Sequence, residues 1–490
     1  MIAALCAIAG PGPATPPPDR GEALMEYDLT LAGKPPFRRL FLDAMVTEES
    51  GGLERIFHAP VKYEKNPIMK GDAPWEGWGP NLGGTVIRDG GKLRMYYYCI
   101  ADGEPTKVCM AESKDGLNWT RPKLGLVEWK GSKDNNILKS STQVFRANKP
   151  ASPDRTWVMY GQSKGHGNMG FSADGLTWTR PPELQDLFST SDVVNFFFDP
   201  YRNRMCATWK TSNRRHRAVG VVLSDDGLTW KKPVEGPVFV ADDLDPDPTQ
   251  IYGMPVFAYQ KMFIGLPLIY HSRWLKYGRY TKPEVMFEAQ EGSPCTGDIQ
   301  LAWSWDLINW TRTPKREPFI ANSPINAFDY GFIGTARAPV VMGDELWFYY
   351  SGWDQVHEDY KGLKAAVGLA KLRLDGFCSM QAGDKEGWLI SRREVFNTPE
   401  VTINAKCGPG GYVTAEIVDR NNNVIRGFEK NYCNAFQGDS VRGKLTWKTR
   451  EFPEGLRDKD RKIRFYVRNA DLYSYLPVGI NEQIDDSWPD

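Results

Sequence analysis

One seven-residue phrase recurs along this chain and limits what it can fold into. Ser113–Trp119 reads SKDGLNW, Ser172–Trp178 SADGLTW, Ser224–Trp230 SDDGLTW and Ser304–Trp310 SWDLINW, the last without its glycine. The Asp-Gly pair suits a tight turn, because Gly tolerates φ > 0 and Asp can accept hydrogen bonds from backbone just ahead of it. The Trp that follows gives a strand a large apolar anchor. Four copies, with tryptophans at 119, 178, 230 and 310, make this a repeated β unit.

Cut at these turns, the chain falls into five comparable units: Leu82–Pro122, Asn136–Pro182, Asp192–Pro233, Gln250–Pro314 and Phe328–Phe377. Each reads as strand, turn, strand, loop, strand, turn, strand, and no convincing amphipathic helix interrupts them. Four antiparallel strands repeated radially form a β-propeller blade, so the sequence predicts an all-β fold, a five-bladed β-propeller over 26–385. From about Trp388 the repeat stops, and period-2 alternation with polar turns predicts a small β-sandwich over 386–490. Residues 1–25 are Pro-rich and expected to be disordered. Their apolar start, MIAALCAIAG, is like the core of a secretory signal but lacks its basic flank. A secreted or periplasmic location is the expectation, a cytoplasmic one the alternative.

Composition narrows the partners. Sixty-one basic residues balance sixty-one acidic ones, and no face is visibly rich in one sign, which argues against nucleic acid or a membrane surface. No segment is apolar enough for a span. Seventeen Trp and 21 Tyr suit sheet packing and equally suit stacking on sugars. The eight cysteines and five histidines show no metal-ligand spacing. No cofactor is called for, although a structural divalent ion in the channel stays compatible with the sequence. Cys407 and Cys433 could pair in an exported chain.

The architecture resembles the glycoside hydrolase clan of families 32, 43 and 68. The phrases GYVTAEIVDRNNNVIRGF (411–428) and RFYVRNADLYSY (464–475) look like the C-terminal module of invertase-type enzymes. The resemblance implies a carbohydrate substrate and a pair of catalytic carboxylates in the central pocket. The individual motifs differ. WGPNLGG (78–84) puts Asn81 near the place of the nucleophilic Asp, and the second unit offers SSTQVF (140–145), with no carboxylate. The repeated turns also resemble the Asp-box of sialidases, one residue shorter.

A propeller's pocket lies at the mouth of its channel, lined by the segments leading into each innermost strand. Position therefore sorts the acids. Asp115, Asp174, Asp226 and Asp306 belong to the outer turns and are structural. Glu76, Asp192, Asp245 with Asp247, and Asp329 precede innermost strands. Glycosidic cleavage needs one carboxyl as acid and a second as base or nucleophile. Asp192 and Asp247 are the preferred pair, with Glu76 and Asp329 as rivals; for any one of them a solvated loop acid is the ordinary reading. Trp75, Trp78, Tyr252 and Trp353 are candidate sugar platforms or core. His271, Arg337, His357 and Glu358 are candidate contacts to hydroxyls or to a charged substituent. The basic run at 214–217 reads as a solvated edge. The reading is a glycoside hydrolase, with a phosphorylase of the related five-bladed type or a non-catalytic glycan-binding propeller as alternatives. The oligomeric state is not set by sequence.

Overall fold

A computed structural model describes residues 29–33, 36–146, 150, 152–213, 216–246, 249–272, 295–357, 360–395, 399–448 and 460–477. The chain is all-β, and its one α-helix among the described residues is the single turn Leu29–Ala32. No helix there is long and apolar enough to cross a membrane.

The repeated units are antiparallel meanders. The first joins Val86–Asp89, Lys92–Cys99 and Lys107–Ser113, closed by a bridge between Glu112 and Thr120. The second joins Gln143–Arg146, Trp157–Ser163 and His166–Ser172, closed at Phe171 and Thr179. The third joins Val194–Asp199, Arg204–Ser212 and Arg217–Ser224, closed at Leu223 and Lys231. The fourth joins Val256–Tyr259, Met262–Gly265, Ala302–Ser304 and Trp310–Arg312. The fifth joins Val340–Met342, Glu345–Trp353 and Ala365–Arg373, and its outermost strand is Val61–Lys62, from far earlier in the chain.

Each meander bonds to the next. The Thr85 hydroxyl donates to the Val144 carbonyl at 2.9 Å, and Gln143 bonds both the Val194 carbonyl and the Phe196 amide. The Thr208 hydroxyl donates to the Met254 carbonyl at 2.6 Å. Gly297 pairs with Phe332, and the Arg337 amide returns to the Gly84 carbonyl at 3.0 Å. These contacts run from the first meander round to the fifth and back, which is the propeller-type arrangement expected.

The recurrent phrase explains why the meanders wedge together. In its first copy Asp115 accepts the amides of Leu117 and Asn118 at 2.9 and 2.8 Å, and Ser113 accepts that of Gly116. Asp174, Asp226 and Asp306 accept the equivalent amides. The carbonyls so presented are used by the neighbour. Tyr349 donates to Gly116 and Tyr96 to Gly175, while Trp230 packs edge-on to Tyr160. The fourth copy holds the same left-handed turn with Leu307 at φ 71, against 76, 75 and 73 for the three glycines. Such a φ costs a non-glycine residue about 1–2 kcal/mol; complete burial of the Leu307 side chain, worth about 1.5–3 kcal/mol, offsets it.

The C-terminal sheet is built on two long strands, Glu400–Val418 and Asp460–Pro477, paired from Val401 with Pro477 to Val418 with Lys462 and bulged at Cys407/Tyr412. Alternation along them buries Val401, Ile403 and Ala405, then Val413, Ala415 and Ile417. The division expected near residue 385 is crossed by pairing. Arg39–Leu40, Thr47–Gly51 and Glu54–Phe57 all bond into this C-terminal sheet, and so does Cys378–Ala382. An unpaired strand edge must be covered, and the early strands cover these. Cys407 and Cys433 are free thiols.

Candidate functional site

In an antiparallel meander the lead-in to the first strand and the turn between strands two and three lie at the same end. At that end, between the second, third and fourth meanders, lies a cavity of about 1000 Å³. Its walls include the Lys164-Gly165 turn, Ser189–Asp192, Trp209 and Lys210, Arg217 across the next turn, and Tyr252.

Asp192 stands on this wall with its side chain 65% exposed, and Lys210 donates to it at 2.8 Å. Burial is the largest single influence on the carboxyl and would raise its pKa. The Lys210 hydrogen bond and charge, with Arg217 further off, outweigh that and hold it below the usual range. Asp192 is therefore an ionised, solvent-facing carboxylate at neutral pH. The Lys210 ammonium also sits 4.4 Å from the Tyr252 ring centroid, and the Arg217 guanidinium 5.3 Å from it. Burial pushes the Tyr252 phenol up to about 12, so it stays neutral. The Trp209 ring packs where a side chain on Gly220 would stand, which fixes its face.

From Tyr252 an aromatic group continues along the same end of the molecule. His357 Nε2 is 3.0 Å from the Tyr252 hydroxyl, and the His357 ring stacks on Trp353 at 6.1 Å. Trp78 lies edge-on to Trp353 and stacks flat on Tyr360, at 5.7 Å and 5°. The structure thus brings together four residues singled out from sequence, Trp78, Tyr252, Trp353 and His357, and sets Asp192 beside them.

Other expected residues are placed elsewhere. Glu76 is fully buried. It accepts from Tyr97 at 2.7 Å, from Arg121 at 2.7 and 3.0 Å, and from the amides of Asp72 and Ala73. Asp329 is equally buried and accepts from Lys62 at 2.6 Å and Tyr350 at 2.9 Å. Asp245 is held in a fork by Arg312 at 2.5 and 2.6 Å. These three carboxylates serve ion pairs that fasten segments together. Trp75 donates to Asn136 at 2.7 Å and packs on Trp129. Arg337 is buried, 7% exposed, on the innermost part of the fifth meander. His271 pairs with Asp298 at 2.6 Å on the fourth. Asp247 and Glu358 lie outside the described residues. Among the described residues no group of three or more His, Cys, Asp or Glu is placed to hold a metal ion.

Sequence reasoning passed over Trp209, Lys210, Arg217 and Tyr360. The basic run that seemed a solvated edge ends in Arg217, the first residue of a strand, whose guanidinium lies over Tyr252 and Tyr270. Arg214 and Arg215 are outside the described residues. The available signal was Arg217's place opposite Ser212, directly across the turn in the mouth of the third meander.

No family model matches the sequence, and no curated protein matches it. Among solved structures the chain is similar to a glycoside hydrolase at 16% identity and a TM-score of 0.42, covering 64% of this chain and 92% of that one. It is similar, at 15% identity and a TM-score of 0.40, to a structure from work on the GH130 family of mannoside phosphorylases and glycoside hydrolases that target β-1,2 mannosidic linkages in Candida mannan; 65% of this chain and 94% of that one are covered. A Bombyx mori GH32 β-fructofuranosidase is similar at 12% identity and 0.37, over 85% and 94% of the two chains. These TM-scores lie below 0.5, and the likeness assigns no activity to this chain.

Proposed function

We propose that this protein hydrolyses a glycosidic bond, with the sugar seated in the cavity between the second, third and fourth meanders. The observation that carries the reading is Asp192, an ionised and accessible carboxylate between a lysine and the aromatic walls Trp209 and Tyr252. A carboxylate held at low pKa suits the base or nucleophile and not the proton donor. We assign the donor to Asp247, which sequence position places five residues before Tyr252. The rings supply apolar faces against which pyranose C–H groups pack. Lys210 keeps Asp192 charged and oriented.

The test is turnover on a panel of aryl and natural glycosides, with Asp192→Asn and Asp247→Asn beside the wild type. The reading expects cleavage by the wild type without added phosphate. It expects losses of about 10²- to 10⁴-fold in both variants, the range for a positioned acid or base, with sugar binding retained. Product formation that requires inorganic phosphate would replace hydrolysis by phosphorolysis. A wild type that binds glycans and cleaves none would reduce the protein to a glycan-binding one.

A further inference from the structure

The cavity carries more positive charge than its one described acid needs. Lys164, Lys210 and Arg217 line it, against Asp192. Lys210 is engaged with Asp192. The Arg217 guanidinium lies 5.3 Å from the Tyr252 ring centroid and 5.7 Å from that of Tyr270, and makes no ion pair or hydrogen bond with a described residue. Its backbone is pinned, since its amide donates to the fully buried Gln250 at 2.7 Å. Lys164 sits at the tip of the facing turn with φ 52, exposed and likewise without an ion-pair partner among the described residues. A stacked, pre-positioned guanidinium with its fork unspent suits a carboxylate.

We infer that Arg217, aided by Lys164, receives the carboxylate of a hexuronic acid residue, so that the substrate class is an acidic glycan. The inference rests on the reading of this cavity as the sugar site. Three features select a uronate. The guanidinium fork matches a planar carboxylate in two parallel hydrogen bonds. The Trp209 and Tyr252 rings in the same cavity suit a pyranose face, which inorganic phosphate would leave uncovered. Two cations beyond the Lys210–Asp192 pair call for added negative charge, and a neutral sugar brings none.

The experiment is calorimetric titration of the full chain with D-glucuronate, D-glucose and inorganic phosphate as separate probes. It is run on the wild type, Arg217→Gln, Arg217→Lys and Lys164→Gln, with circular dichroism melting of each variant as the check on folding. The expected result is glucuronate bound at least about tenfold more tightly than glucose, as one charge-assisted pair supplies. That advantage is lost in Arg217→Gln, partly kept in Arg217→Lys and reduced about two- to threefold in Lys164→Gln. Raising salt on the wild type alone should erode glucuronate binding and spare glucose, which keeps the test open even where a variant misfolds. Equal affinity for the two sugars would overturn the inference, as would phosphate bound through Arg217 in place of glucuronate. If neutral glycosides are cleaved in an Asp192-dependent way and glucuronate has no advantage, the subsite falls and the hydrolase stands. If glucuronate binds through Arg217 and no glycoside of any kind is cleaved, the subsite stands and the hydrolase falls.

Discussion

Glu76 and Asp192 both lie just ahead of a meander's first strand, yet the molecule treats them in opposite ways. Glu76 is fully buried and takes hydrogen bonds from Tyr97, Arg121 and two backbone amides. Asp192 is two-thirds exposed and its described hydrogen-bond partner is one lysine. The lesson is that a carboxylate's place in a repeat does not assign its job; the number of its bonds already committed does. A saturated, enclosed acid holds segments together, and an accessible one with capacity left can meet a substrate.

That contrast can be broken or sharpened by experiment. The largest expected effect is on Asp192. Asp192→Asn should cut turnover by about 10²-fold or more with the melting temperature unchanged, because an exposed ion pair adds little stability. Its carboxyl is held below the usual range, so folding favours the ionised form. Whatever stability it adds is present above the unfolded Asp pKa of about 3.9 and is lost as pH falls through the lower folded value. The acid limb of turnover set by this group should therefore lie below pH 4 or so. Glu76→Ala is the converse: it leaves Arg121 without its buried partner and should cost about 3–5 kcal/mol in denaturant unfolding. Turnover per folded molecule should survive. A drop in turnover with full stability would exchange the roles assigned to the two acids.

Smaller effects test the scaffold that sets the two apart. Gly175 has φ 75, and a side chain there would come within 3.0 Å of Arg94 and Tyr96. Gly175→Ala should cost about 1–2 kcal/mol in the same unfolding measurement, with no change in KM. The smallest concerns His271. Burial, the largest influence, lowers its pKa, but the hydrogen bond and charge of Asp298 outweigh that and raise it above 6.5. Its stabilisation is complete below pH 6.5 and fades as pH rises through the folded value. The melting-temperature gap between wild type and His271→Asn should be wider at pH 6 than at pH 9.

What could be read in the sequence was what is local. The Ser-x-Asp turn makes its own hydrogen bonds within four residues, so its four copies and the meanders between them were legible. Unit boundaries single out Trp78, Tyr252, Trp353 and His357 one by one, along with Trp75, His271 and Arg337, which lie elsewhere; that those four meet was not legible. The ion pairs were not legible. Arg121 is 45 residues from Glu76, and Lys62 is 267 from Asp329, and nothing in either phrase names the other. The closing strand Val61–Lys62 has two residues, too few to show any period. Arg217 was hidden for a different reason: a cation at a strand end looks the same whether it faces water or a tyrosine.

The closing strand also bears on how the chain is made. Val61 and Lys62 pair with Lys371 and Ala370, Glu54–Phe57 with 378–381, Thr47–Gly51 with 388–391, and Arg39–Leu40 with 474–475. Every one of these strand partners is synthesised more than 300 positions after the residue it pairs with. The segment lacks each of these partners until more than 300 further residues have been made. Folding that depends on such distant pairings is slow and exposes sticky edges meanwhile, so chaperone supply should govern the yield of this protein.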